Sequence, residues 1–231
     1  MKFLTVVKNI PLLFWMWRKR IKQDTFEWWV KEYTSTKINE SAIKPTEQQF
    51  FIGFIGCYGV GKTSAAKKII ERLPFVLISS DEGRRFLQQR GVPSGIVDEE
   101  KLMFLMGLKV MQELVRRRNN ILLDADLRQS RFRKELQNFI TAEGYKFLLL
   151  HVIAKDETVL GRISKRRIKE ESEYLRENME CHVIYRKRIH ESEPMPPIFF
   201  TIHNDADLGN LDEQIDRFVI KYKKTFGAGT D

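Results

Sequence analysis

The stretch Gly56-Cys-Tyr-Gly-Val-Gly-Lys-Thr63 has the residue types and spacing of a loop that holds phosphate groups. Its glycines allow backbone angles that turn successive N–H groups toward one anion. Lys62 supplies a positive charge for the terminal phosphates of a nucleotide, and the hydroxyl of Thr63 can bind Mg²⁺. An apolar segment precedes the loop and a helical pattern follows it, which is the context that this motif requires. We therefore predict binding of ATP and Mg²⁺ through Gly56, Cys57, Tyr58, Gly59, Val60, Gly61, Lys62, Thr63 and Ser64.

Three aspartates follow apolar segments that we predict to be buried strands. Asp81 follows "FVLISS", and Asp124 and Asp126 end "NILLDAD". Open α/β sheets place their functional groups where strands end. Asp124 is therefore expected to help Thr63 place Mg²⁺, and Asp126, on the same side of an extended chain, is expected to contact the substrate. The structural alternative for these aspartates is a helix cap or a strand-end turn.

Arginines offer the positive charge that phosphoryl transfer needs. Arg84 lies three residues after Asp81 on one predicted helical face, where it could hold an anionic acceptor. Arg162 and Arg166 are four residues apart in "GRISKRRIK", and such a pair could close over the phosphates and offset charge in the transition state. A basic run taken by itself is usually a solvated surface. We interpret "YRKR" at 185–188 in this way.

Composition limits the class of protein. With 231 residues, 42% hydrophobic and 31% charged, the chain can form one α/β domain of ordinary size and a short appendage. Its net charge of +9 favours anionic partners such as nucleotides, nucleic acid or an acidic membrane surface. Its two cysteines, Cys57 and Cys181, lack metal-site spacing, so we expect neither a zinc site nor a disulfide partner. A reducing, cytoplasmic location fits.

The N-terminal residues allow two interpretations. All four tryptophans lie within the first 29 residues, and a basic cluster at 18–20 follows the first apolar segment. Residues 1–34 could be a helical arm that packs its aromatic side chains on the domain. They could instead make peripheral membrane contact, with Trp at headgroup depth and cations on anionic lipid. Residues 35–49 are polar and are predicted to be a linker.

From residue 50 onward, short apolar segments alternate with helical patterns. Apolar segments of this kind are buried on both faces, which is typical of a parallel sheet. We therefore predict an α/β fold, a three-layer doubly wound parallel sheet of about five strands, with an N-terminal helical extension. Residues 1–49 would form the arm and linker, and residues 50–231 the domain. The five segments are "FFIGFIG", "FVLISS", "NILLDA", "KFLLLHVI" and "PIFFTIH".

The motifs GCYGVGKT, SSDEGRR, LLDADL and ETVLGRISKRR, in this order, resemble the P-loop kinase family of polynucleotide kinase, zeta toxins and small-molecule kinases, an AAA-like ATP-binding kinase domain. The resemblance covers about residues 50–190. It implies that Asp81 is the general base for the acceptor hydroxyl, that Arg84 is a substrate-side arginine, and that Arg162 and Arg166 are lid arginines. The stretch after the last predicted strand resembles the one that nucleotide kinases place near adenine, which makes Asn204 a candidate there.

The expected reaction is transfer of the γ-phosphate of ATP to a hydroxyl of an acceptor: a polynucleotide, a nucleotide, a nucleotide sugar or a small metabolite. The family often has Thr or Asn at the position of Asp126, and a second negative charge there would repel an anionic acceptor unless a metal intervenes. The alternative from another class is a nucleotide-dependent switch or membrane-associated regulator that hydrolyses nucleotide slowly, without an acceptor.

Overall fold

The computed structural model describes residues 23–40, 48–92, 97–169, 195–205 and 208–227. The strands in these ranges are β1 (Phe50–Ile55), β2 (Val76–Ser79), β3 (Ile121–Asp126), β4 (Lys146–Ile153) and β5 (Phe200–His203). The helices in these ranges are α1 (Gln23–Glu40), α2 (Lys62–Ile70), α3 (Ser80–Gln88), α4 (Val97–Arg116), α5 (Ser130–Ala142), α6 (Asp156–Lys169) and α7 (Leu208–Phe226).

The five strands form one parallel sheet in the order β2-β3-β1-β4-β5. All six residues of β1 are buried, as expected for the central strand of a sheet covered on both faces. At one edge of the sheet, β4 pairs with β5 from Leu150 opposite Phe200 to Ile153 opposite His203. Strand order changes direction at β1, and ligand sites of open α/β sheets lie at such a point. The predicted fold class is confirmed.

The chain divides into two compact units. The first consists of Met1–Phe51, Pro74–Leu122 and Arg131–Phe147, and the second of Ile52–Leu73, Leu123–Ser130 and Leu148–Asp231. The phosphate-loop motif and the ends of β3 and β4 therefore belong to the second unit, and α1, β2, α3 and α4 belong to the first. The predicted division into an arm (1–49) and a domain (50–231) stays a prediction.

Helix α1 contributes aromatic side chains to the core of the first unit. Phe26, Trp29 and Tyr33 are buried, whereas Trp28 is 57% exposed. Burial of an aromatic side chain stabilises a fold strongly because it removes a large apolar area from water. The described part of the N-terminal arm therefore packs on its own unit.

The predicted linker at 35–49 is wrong up to Glu40, because α1 continues to that residue. The hydroxyls of Thr34 and Thr36 donate to backbone carbonyls four residues earlier, so these polar side chains are satisfied inside a helix. Polar composition alone therefore did not mark the end of the helix. Residues 41–47 lie outside the described residues.

Candidate functional site

The loop between β1 and α2 has the backbone shape that a phosphate site needs. Gly59 and Gly61 have φ angles of +82° and +100°, which glycine adopts without strain. Lys62 and Thr63 open α2, and Gly61 is its N-cap. Within the described residues no side chain caps this helix end. Its first N–H groups and the positive end of its dipole therefore suit an anion.

At two loop glycines, neighbouring atoms occupy the space that a side chain would take. A Cβ at Gly56 would lie 2.5 Å from the backbone oxygen of Val152 in β4. A Cβ at Gly61 would overlap Nδ2 of Asn204. Such approaches are far inside van der Waals contact, so the loop is packed directly against β4 and against the segment after β5.

Lys62 is held at the loop by the loop's own backbone. Its Nζ donates hydrogen bonds to the carbonyl of Gly56 at 2.8 Å and to that of Cys57 at 3.0 Å. Burial lowers the pKa of Lys62 below its ordinary value, while the charges of Asp126 and Asp124 oppose this shift. The structure therefore brings Lys62 and both predicted strand-end carboxylates into one electrostatic cluster.

Arg128 is a member of this cluster that the sequence did not reveal. Its side chain is buried, and its Nε and one terminal nitrogen lie 2.7 and 2.6 Å from one carboxyl oxygen of Asp126. Its other terminal nitrogen donates to Sγ of Cys57 at 3.2 Å. The only signal was an arginine two residues after Asp126. The guanidinium offsets the charge of Asp126, so the repulsion expected for an anionic acceptor is reduced.

The remaining strand-end carboxylate, Asp124, is buried near the end of β3. The chain leaves this strand beside the loop, because the N–H of Leu127 donates to the carbonyl of Phe54 at 2.8 Å. Within the described residues no group of three or more His, Cys, Asp or Glu side chains could hold a metal.

Arg162 and Asn204 both contact the loop at one carbonyl. Nδ2 of Asn204 donates to the backbone oxygen of Val60 at 2.7 Å, and Arg162 donates to the same oxygen at 3.2 Å. Arg162 also donates to the backbone oxygen of Asn204 at 2.9 Å. The structure thus joins α6 and the segment after β5 to the loop. Arg166 belongs to α6, but its side chain lies outside the described residues.

Asp81 and Arg84 lie on α3, in the first unit. The carboxylate of Asp81 is 58% exposed, and its Oδ1 lies 3.6 Å from a terminal nitrogen of Arg84. The N-cap of α3 is Ser79, and among the described residues no side chain caps it. Asp81 therefore does not serve as a cap, and its carboxylate is open to a ligand.

The comparisons place this arrangement in a family. The profile of a family described as "AAA domain" matches residues 51–180, more than half of the chain. The chain belongs to the AAA domain family. The AAA domain match begins after α1, so this helix lies outside the matched part. No curated protein matches the sequence.

Solved structures share the fold of this AAA domain chain. A chain of the PezAT toxin–antitoxin system of Streptococcus pneumoniae is 19% identical, with a TM-score of 0.55 over 74% of this chain and 72% of that chain. A candidate kinase from Chloroflexus aurantiacus is 15% identical, with a TM-score of 0.57 over 80% of this chain and 100% of that chain. At such identities the likeness shows the fold alone. Together with the AAA domain match, it confirms the predicted resemblance to P-loop kinases.

The membrane predictions concern the N-terminal part of the chain. Among the described residues no helix is long and apolar enough to cross a membrane. Residues 1–22 lie outside the described residues, so peripheral membrane contact through residues 1–34 stays a prediction.

Proposed function

We propose that this chain is a Mg²⁺-dependent kinase that transfers the γ-phosphate of ATP to an acceptor hydroxyl. The observation that carries the proposal is the cluster of Lys62, Asp124 and Asp126 at the N-terminus of α2, where no side chain of the described residues forms a cap. This combination supplies a cation for phosphates, a carboxylate for a metal and the backbone N–H donors at the start of α2. The AAA domain match and the kinase-like fold support it at a coarser level, as nucleotide-dependent phosphoryl transfer.

Donor binding is assigned to the loop. Its N–H groups and Lys62 would hold the β- and γ-phosphates, and Ser64 follows in the same first turn of α2. Thr63 and Asp124 would hold Mg²⁺, since a hydroxyl and a carboxylate are the hard oxygen ligands that this ion prefers. The ion would neutralise charge on the phosphates when bound. Asn204 and Arg162 would keep the loop in place beside the nucleotide.

Acceptor activation is assigned to Asp81. The acceptor oxygen would attack the γ-phosphorus, the bond to the bridging oxygen of ADP would break, and the hydroxyl proton would pass to Asp81. Arg84 and Asp126 would contact the acceptor, and Arg166 would offset negative charge on the transferred group. Asp81 suits this role because it is exposed and lies two residues after the end of β2.

The test is an acceptor screen with γ-labelled ATP. Polynucleotide 5′-hydroxyl ends, nucleosides, sugars, nucleotide sugars and aminoglycosides are incubated with the protein and Mg²⁺, and label on each acceptor is measured beside free phosphate. The proposal predicts label on one acceptor class. Phosphate release at the same rate with and without every acceptor would instead favour the nucleotide-dependent switch.

A further inference from the structure

Helix α1 contacts α3 along a single line. One face of α3 carries Glu82 and Phe86, which are four residues apart. Arg90 follows four residues later, just beyond the end of the helix, and continues this face. Each of the three contacts α1. Asp81 and Arg84 lie on the same helix away from this line, and Arg84 keeps its ion pair with Asp81.

An ion pair fixes each end of this contact. Nζ of Lys37 lies 2.7 Å from Oε2 of Glu82, and only 9% of the Lys37 side chain is exposed. At the other end, a terminal nitrogen of Arg90 lies 2.5 Å from Oε1 of Glu32. The side chains of Glu82 and Glu32 are 29% and 36% exposed, so both pairs are partly buried, and salt screens them less than it screens fully exposed pairs.

Aromatic contact fills the middle of the line. The ring of Tyr33 meets the ring of Phe86 edge-on, with centroids 5.0 Å apart. The guanidinium of Arg90 lies 3.4 Å from the centre of the Phe86 ring on which it stacks. Both ion pairs and the aromatic pair therefore act on the same face of α3.

Helix α3 has few apolar anchors of its own. Gly83 and Leu87 are its buried residues, and Gly83 packs against the side chains of Met103 and Met106 in α4. Leu87 brings an apolar side chain into the core, and α3 packs mainly on α4 and β2. The contacts with α1 add to this packing at the side chains of Glu82 and Phe86.

We propose that α1, a helix outside the AAA domain match, positions the acceptor side of the enzyme through Lys37 and Glu32. This inference rests on the proposed function, in which Asp81 of α3 receives the acceptor proton. Lys37 holds the residue next to Asp81, so loss of the ion pair lets the first turn of α3 shift. A displacement of about 1 Å can lower a rate by about 100-fold when reacting groups must meet in one geometry.

The experiment compares Lys37→Met with two matched variants of the full chain. Lys31→Met removes an exposed lysine from the same helix, and Lys37→Arg keeps the charge. Three quantities are measured: the kcat of transfer to the acceptor found in the screen, acceptor-independent hydrolysis, and the Kd of a fluorescent ATP analogue. Lys37→Met should lower transfer at least about tenfold and leave hydrolysis and Kd within about twofold, because α3 serves the acceptor and not the donor.

Lys37→Arg should restore most of the transfer rate, and Lys31→Met should match the wild type. A wild-type rate of transfer in Lys37→Met would overturn the inference. A parallel fall in transfer, hydrolysis and ATP binding would also overturn it, because such a fall would show that Lys37 has a purely structural role. If Lys37→Met does not fold, Glu82→Gln, which removes the negative charge of the same ion pair, must show the same selective loss. If the wild type labels no acceptor, the proposed function is wrong, and this inference, which rests on it, is wrong as well.

Discussion

The amide of Asn204 lies where a side chain at Gly61 would begin, and the backbone of β4 lies where one at Gly56 would begin. The glycines of the phosphate loop therefore do more than permit unusual φ angles. They allow the loop to rest against its neighbours, so that Lys62 and the N–H groups at the start of α2 keep fixed positions. A preorganised cradle of this kind binds phosphate without reordering.

Gly56→Ala should destabilise the protein. The new Cβ would lie 2.5 Å from the oxygen of Val152, and a backbone atom cannot move aside as a flexible side chain can. We expect the free energy of unfolding, measured by urea denaturation, to fall by about 1–3 kcal/mol. Gly107→Ala in α4 is the control, because a Cβ at this position would meet nothing within 4 Å, and it should raise stability by up to about 1 kcal/mol. Equal stability of both variants would contradict this account.

Lys62 should make nucleotide binding sensitive to alkaline pH. In the proposed function its protonated form binds phosphate. Burial lowers its pKa, so the free protein loses the charge at a lower pH than an ordinary lysine would. ATP affinity should therefore fall as pH rises toward about 10, with proton uptake on binding. Fluorescence titration of an ATP analogue at several pH values measures this.

Lys62→Arg provides the comparison, because an arginine stays charged throughout that range. The affinity of this variant should change little with pH, whatever its absolute value. A wild-type affinity that stays constant up to a pH of about 10 would show that the charge of Lys62 does not limit binding.

At the scale of single residues, functional residues that lie within one motif could be predicted from the sequence. Residues that only the fold brings together could not. The loop pattern, Asp124 and Asp126 follow from spacing and strand ends. Arg128 could not be predicted because its role depends on a turn that brings its guanidinium to both Asp126 and Cys57. A loop arginine without that geometry is indistinguishable from a solvated one.

At the scale of elements, α2 and the turn that follows it are joined to α7 by a group of ion pairs. Nζ of Lys68 lies 2.7 Å from a carboxyl oxygen of Asp212, and Arg72 contacts Asp212 and Asp216 at 2.7 and 2.6 Å. Because α2 begins at Lys62, these contacts also bear on the orientation of the phosphate loop. Hydrogen bonds from Lys68, then from Arg72, lower the pKa of Asp212.

Asp212→Asn should lower the midpoint of urea denaturation at pH 7. The stabilisation from a carboxylate with a lowered pKa is present above the pKa of the unfolded chain, about 3.9, and is lost as pH falls through the folded value. The difference between wild type and variant should therefore disappear in acid. Glu213→Gln, in an exposed pair on the same helix, should have little effect at any pH. A difference between Asp212→Asn and wild type that persists at a pH of about 2 would exclude this explanation.

Strands were easier to predict than helix ends. Each apolar segment became a strand because a strand buried on both faces needs an apolar run. The end of α1 was missed because its stabilising partners, such as Glu82 for Lys37, come from distant sequence. Helix ends depend on such tertiary contacts as well as on local composition.

At the scale of the whole molecule, the phosphate loop belongs to one compact unit and the exposed aspartate Asp81 to the other. The AAA domain match and the shared fold agree with the proposed nucleotide-dependent phosphoryl transfer. The identity of the acceptor depends on side chains that no motif encodes, and for this reason the sequence predicted the donor and left the acceptor open.

The most direct test compares wild type and Asp81→Asn in the labelled-ATP assay with the acceptor that the screen identifies. We predict that the variant binds ATP with a Kd within about twofold of wild type and loses transfer by about 10²–10⁴-fold, the range for removal of a general base. Transfer by Asp81→Asn at the wild-type rate would contradict the central claim, because the carboxylate would then have no part in activating the acceptor.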